Sequence, residues 1–205
     1  DMPEDLRPVL ARQMEVSAGF LEHTDHHVGR LLDALEDLEI LNDTLVYVII
    51  GDNGASAEGT TQGCFNELIS LNGAGGLETT EVVLSKIEEF GTPTAYNHYA
   101  VGWAHAMDTP YQWTKQVASH WGGTRNGTIV HWPNGIESKG EVRNQFHHVI
   151  DVVPTILEAA RIPAPTFVNG IQQAPLEGVS MTYSFDSGVA AEGRTTQYFE
   201  MFVNR

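Results

Sequence analysis

Val46-Tyr47-Val48-Ile49-Ile50, followed by Gly51-Asp52-Asn53-Gly54, is the stretch on which the reading of this chain turns. Five apolar residues, mostly β-branched or aromatic, predict a buried strand. The run stops at a glycine, and a carboxylate and a carboxamide then stand side by side where the strand ends. In open α/β sheets, ligands bind outside the carboxyl ends of the strands. Asp52 and Asn53 both present oxygen, the donor that calcium and magnesium take. The flanking glycines permit unusual backbone angles and close approach. The same letters also spell a strand ending in an Asn-Gly turn, which is their commoner meaning.

Upstream, residues 3–39 read as one long helix. Leu6, Leu10, Met14, Phe20, Leu21, Val28, Leu31, Leu32, Leu35 and Leu38 form a helical stripe, irregular near Ser17-Ala18-Gly19. Asn42-Asp43 turns the chain into the strand at 45–50. A helix followed at once by a strand is half of an α/β crossover unit. Downstream, residues 51–78 are rich in Gly, Ser, Thr and Asn and read as an elaborated loop over the strand's end. Thr80–Phe90 predicts a short helix, residues 94–114 an irregular aromatic segment, and Thr128–Trp132 a second short buried strand. Ile150–Ala160 predicts a helix with Asp151 and Pro154 in its first turn. Residues 161–178 read as loop, and the alternation in Thr195–Val203 as a strand.

A chain of 205 residues can bury a full core and suggests one domain or a domain and a half, with an ordinary 41% of apolar residues. With 27 acidic against 11 basic residues the net charge is −16, a surface that repels nucleic acid and anionic lipid. Neither nucleic acid nor a membrane is therefore expected as a partner, and no apolar run is long enough to span a bilayer. An anion site on such a chain must be local, built from a cation and one or two basic side chains. The single cysteine, Cys64, excludes an internal disulfide and a cysteine-based zinc site. The compartment is not legible, and the sequons at Asn42 and Asn126 are too short to imply secretion.

Four further motifs follow in order around the strand. Gly29-Arg-Leu-Leu-Asp-Ala-Leu35 precedes it. Lys115-Gln-Val-Ala-Ser-His-Trp-Gly-Gly-Thr-Arg125, Ile129-Val-His-Trp-Pro133 and His148-Val-Ile-Asp-Val-Val-Pro-Thr-Ile-Leu157 come after it. The ordered series resembles the C-terminal part of the catalytic domain of sulfatases, in the alkaline phosphatase superfamily, and is most similar to bacterial arylsulfatases. The resemblance runs from the first helix to about Pro163. It implies an α/β class with a three-layer α/β/α arrangement, here an incomplete fragment. On this resemblance residues 1–205 are expected to form a partial sulfatase domain, with core helices and strands over 1–160 and a loop and strand over 161–205.

The resemblance gives Asp52 and Asn53 the role of holding a divalent cation, calcium first and magnesium second, that contacts the sulfate. It gives Lys115 the role of a sulfate contact and catalytic residue, since an ammonium offers compact positive charge to a tetrahedral anion. The spacing from Lys115 to the glycine pair is one residue longer than related sequences often have. His120, beside the glycines, is the further candidate for a substrate contact. Gly122 and Gly123 are read as structural, with Arg125 tying their loop to a carboxylate. Asp151 fits helix initiation, and His147 and His148 cap or line that helix. His98 and His105 are read as packing residues, His23 and His26 as solvated.

Family members use a cysteine converted to formylglycine, within Cys-x-Pro/Ala-x-Arg. Cys64-Phe-Asn-Glu-Leu68 does not match and lies on the wrong side of the Asp-Asn pair, so Cys64 is read as a packing cysteine. The nucleophile and an early Asp-Asp pair are expected upstream. The chain alone is therefore expected to bind its cation weakly, to turn over no sulfate ester, and to need its upstream half as a partner, with oligomerisation possible. Its substrate would be a small-molecule sulfate ester. A phosphate or phosphonate ester hydrolase of the same superfamily, or a non-catalytic binding or assembly module, are the alternatives.

Overall fold

The computed structural model describes residues 4–51 and 53–205, and the expected metal ligand Asp52 lies outside them. The element order mixes helices and short strands, an α/β content. The long helix forms as read: α1 spans Arg7–Asp37 without a break at Ser17-Ala18-Gly19. β1 covers Val46–Ile50 and pairs with β2, Gly127–His131. α2 is Glu67–Leu71, α3 Thr80–Ser85, α4 Val101–Met107 and α5 Val152–Ala159. A small antiparallel ladder, β3 at Phe167–Val168 and β4 at Ile171–Gln172, interrupts the stretch read as loop.

Three expectations give way. The strands are not buried: Ile50 is 57% and Ile129 55% exposed, because β1 and β2 form a sheet of only two strands among the described residues. The aromatic segment 94–114 is not wholly irregular but contains α4. Thr195–Val203 is no strand, having only an isolated bridge between Met201 and Asn204, since alternation needs a neighbouring strand to become a ladder.

The chain divides into two compact units. One comprises the residues up to Ala34, Ile50–Gly127 and Phe199–Arg205; the other Leu35–Ile49 and Thr128–Tyr198. The first has an apolar core of Leu6, Val9, Leu10, Phe65, Val83, Phe90 and Ala100, in which the Phe65 and Phe90 rings meet edge to face at 5.5 Å. Buried Gln13 stitches this core to a loop and a helix start. Its Nε2 donates to Gln62 O at 3.0 Å and its Oε1 accepts from Ala100 N at 3.1 Å. Only the first turns of α1 are buried, at Val9, Leu10 and Gln13, while Phe20, Leu21 and Leu31 of the apolar stripe stay exposed.

The second unit is organised around a carboxylate. Asp151 is fully buried at the start of α5. It accepts from His148 N at 2.9 Å and Val179 N at 2.8 Å, and from both Nε and Nη2 of Arg194. His148 returns the cap through Ile150 N, so the reading of Asp151 and His148 as helix initiators holds. Thr155, also buried, donates to Asp151 O and accepts from Met181 N at 2.8 Å, pinning the C-terminal segment to the helix. Burial alone raises the Asp151 carboxyl. The Arg194 guanidinium and the two backbone donors outweigh it and hold the group below the usual carboxylate range.

A depressed folded pKa means that the stabilisation is complete above the unfolded value, about 4, and fades as pH falls through the folded one. Asp151→Asn is expected to destabilise by roughly 3–5 kcal/mol at pH 7, because it leaves buried Arg194 uncompensated. Urea unfolding at pH 7 and at pH 3 should show the gap to the wild type narrowing in acid. A gap independent of pH would contradict the assignment.

Candidate functional site

The loop after β1 is built on glycine. Gly51 and Gly54 have φ of 73° and 84°, the left-handed region that side chains resist. At Gly54 a second constraint is sharper: a Cβ there would lie 1.8 Å from Gly122 O and 3.0 Å from Lys115 N. Gly122 is equally hemmed in, its Cβ position falling 2.0 Å from Trp113 O, and that of Gly123 2.4 Å from Val117 O. The reading that the Gly-Gly pair lets a loop pass close to other backbone is thereby borne out, and one of its partners is the strand-end loop itself.

Hydrogen bonds complete this junction. Lys115 N donates to Ala55 O at 3.1 Å, Gly122 N to Gln112 O at 3.0 Å, and Gly54 N to Asn126 Oδ1 at 3.3 Å. Ala55 N in turn donates to the Asp108 carboxylate at 3.0 and 3.2 Å. Burial pushes the Asp108 carboxyl up, with the Ala55 N–H acting against that shift. Asn126, noticed in the sequence only as a sequon, is thus a strut of the loop. No local motif marks it, because its partner is 72 residues away.

Asn53 follows Gly51 by two residues and is exposed. Lys115 stands in a loop rather than on a helix, and its Nζ contacts Glu58 Oε1 at 3.0 Å and Oε2 at 3.2 Å. Glu58 also accepts from Gln116 Nε2 at 3.1 Å and from Ser56 Oγ. The Ser56 hydroxyl, more than Lys115, holds the Glu58 carboxyl below its ordinary range, with partial burial opposing. Sequence reasoning missed Glu58 altogether. Its signal was weak: one carboxylate in a loop, 57 residues before its partner.

His120 is half-buried, its Nδ1 2.8 Å from Ser119 Oγ and its ring edge-to-face with Trp113 at 6.0 Å. With Pro110, Tyr111, Gln112, Ser119 and Trp121 it lines an open cleft of about 420 Å³. Arg125 does not tie its loop to a carboxylate among the described residues. Its guanidinium lies over the Tyr111 and Trp121 rings at 5.2 and 5.1 Å, where a planar cation gains from the π faces. His98 and His105 pack as read, against Tyr99 at 4.4 Å and Trp113 at 6.5 Å. His23 pairs with His27 rather than with His26, the ring nitrogens 3.1 Å apart one helical turn on. Cys64 is buried, and burial pushes its thiol up to about 11, so it is no nucleophile at neutral pH.

No group of three His, Cys, Asp or Glu able to hold a metal occurs among the described residues. The carboxamide of Asn53 fits a hard cation, as part of a shell that calcium usually fills with about 6–8 oxygens. The strand-end loop and the Lys115 loop are thus joined through backbone in a protein of α/β content. The family model for sulfatases matches residues 2–162, and the chain belongs to the sulfatase family. It is 32% identical over 158 residues to an uncharacterized sulfatase of Schizosaccharomyces pombe, an alignment covering 76% of this chain and 26% of that protein. The chain thus spans about a quarter of its relative's length.

Because both glycine contacts are backbone to backbone, Gly54→Ala is expected to cost at least about 2 kcal/mol, from left-handed strain together with the clash on Gly122 O. Thermal unfolding of the variant, with Gly73→Ala as a control where a Cβ meets open space at a similar φ of 78°, would separate the two contributions.

Proposed function

We propose that this chain supplies metal and sulfate contacts to a sulfuric ester hydrolase of the arylsulfatase type, within a three-layer α/β/α domain completed by residues outside this stretch. The observation that carries the reading is the backbone junction at Gly54, Lys115 and Gly122. It fixes the expected sulfate-binding lysine next to the loop of the expected metal ligands. Asp52 and Asn53 would hold a divalent cation, calcium first, which when bound supplies positive charge that polarises the sulfuryl oxygens. Lys115 would stabilise negative charge on those oxygens as the ester bond breaks. His120 and the aromatic cleft beside it suit a planar leaving group at the rim. No residue of this chain is assigned the nucleophile.

The test compares 4-nitrophenyl sulfate with 4-nitrophenyl phosphate as substrates of the full-length protein. Sulfate turnover should dominate, fall on chelation of divalent cations, and drop about 10²–10³-fold in kcat for Lys115→Ala. The 205-residue chain by itself should turn over neither. Preferential turnover of the phosphate would move the assignment to the neighbouring phosphoryl-transfer enzymes.

A further inference from the structure

Lys115, read here as the sulfate contact, already has an anion. An ammonium has three N–H donors. Two of them meet the oxygens of Glu58, at 3.0 and 3.2 Å. The pair is two-thirds to three-quarters shielded from solvent, so the attraction is stronger than at an open surface. Glu58 is itself fixed by Ser56 and Gln116. The loop from Ala55 to Glu58 therefore grips Lys115 at both ends, by backbone at Ala55 O and by charge at Glu58.

We infer that Glu58 is an internal counter-ion of Lys115: it occupies the ammonium where sulfate would bind, orients it, and weakens the hold of the site on sulfate. This rests on the reading of Lys115 as a sulfate contact. Glu58 is a positioning residue: it makes no bond to the substrate, but orients the ammonium of Lys115 and opposes the sulfate by its charge. A sulfate drawn to the third N–H lies within a few ångströms of the Glu58 carboxylate and is repelled by it. A glutamate carboxylate is ionised at neutral pH, so the repulsion acts there, and the Ser56 hydroxyl favours the charged form further. Such repulsion is useful to a hydrolase. Binding the ground state of the ester, or the sulfate it releases, as tightly as the transition state does not speed turnover and holds the product in place.

The sign of the effect separates this role from a merely structural one. Loss of a structural strut loosens the site, whereas loss of a competing anion tightens it. Sodium sulfate is titrated calorimetrically into the full-length protein, with sodium chloride at matched ionic strength as the reference. Glu58→Gln, which keeps size and one acceptor oxygen but removes the charge, should bind sulfate about tenfold more tightly than wild type. Glu58→Asp, which keeps the charge, should stay near the wild-type value. The double variant Lys115→Ala/Glu58→Gln should bind more weakly than Glu58→Gln, because the ammonium that holds the sulfate is gone. If Lys115→Ala weakens sulfate binding but Glu58→Gln leaves it unchanged or weaker, the counter-ion role is overturned while the lysine contact stands. If Lys115→Ala leaves sulfate binding untouched, the lysine contact fails and the counter-ion role falls with it.

Discussion

Two peptide backbones meet at Gly54 and Gly122 with no room for a single carbon between them. Everything placed at this site hangs on that approach. Because Gly54 is seated on Gly122 O, the following Ala55 can offer its carbonyl to Lys115 and its N–H to Asp108. Because Gly122 is seated on the Trp113 carbonyl, the two walls of the aromatic cleft stay together. Side chains adjust by rotating about their bonds, but backbone contacts of this kind shift only if the loops move as a whole. Lys115 is consequently located by the chain path and not only by its own charge.

The chain shows two ways of using an ion pair. Asp151 and Arg194 are both deeply buried, and every oxygen of the carboxylate is committed to a donor. Such a pair fixes one helix start and one distant segment, and it has nothing left for a ligand. Lys115 and Glu58 are partly exposed, and among the described residues the ammonium keeps a donor in reserve. In a protein with a net charge of −16 the second arrangement is the one that leaves a cation within reach of solvent. It isolates one local positive charge from a negative surface and shields it with a single defined partner.

Local chemistry made much of this legible in the sequence. β-branched residues at 46–50 and an unbroken helical stripe need no distant partner to be recognised, and both elements form. The glycines at 122 and 123 announced a close backbone approach, and the histidine and aspartate before α5 announced a helix start. What stayed hidden was non-local. Glu58 and Asn126 act on residues 57 and 72 positions away, and nothing in their neighbours' identities reports such a partner. Residues 195–203 show the opposite failure: a strand-like alternation that no second strand receives among the described residues. Burial of β1 was misjudged for the same reason, since burial belongs to the surroundings of a strand and not to its letters.

The contrast between the closed glycine junction and the open rim around Trp113, His120 and Trp121 bears on how such a site can diversify. At Gly54, Gly122 and Gly123 any larger residue meets backbone, so a side chain at these three positions strains the loops whatever the substrate. The rim residues carry their side chains outward, with Trp113 and Trp121 more than half exposed. Replacements there reshape the entrance without disturbing the loops beneath. A lineage built on this framework can therefore explore new leaving groups by changing its rim, while the seat of the lysine is inherited unchanged.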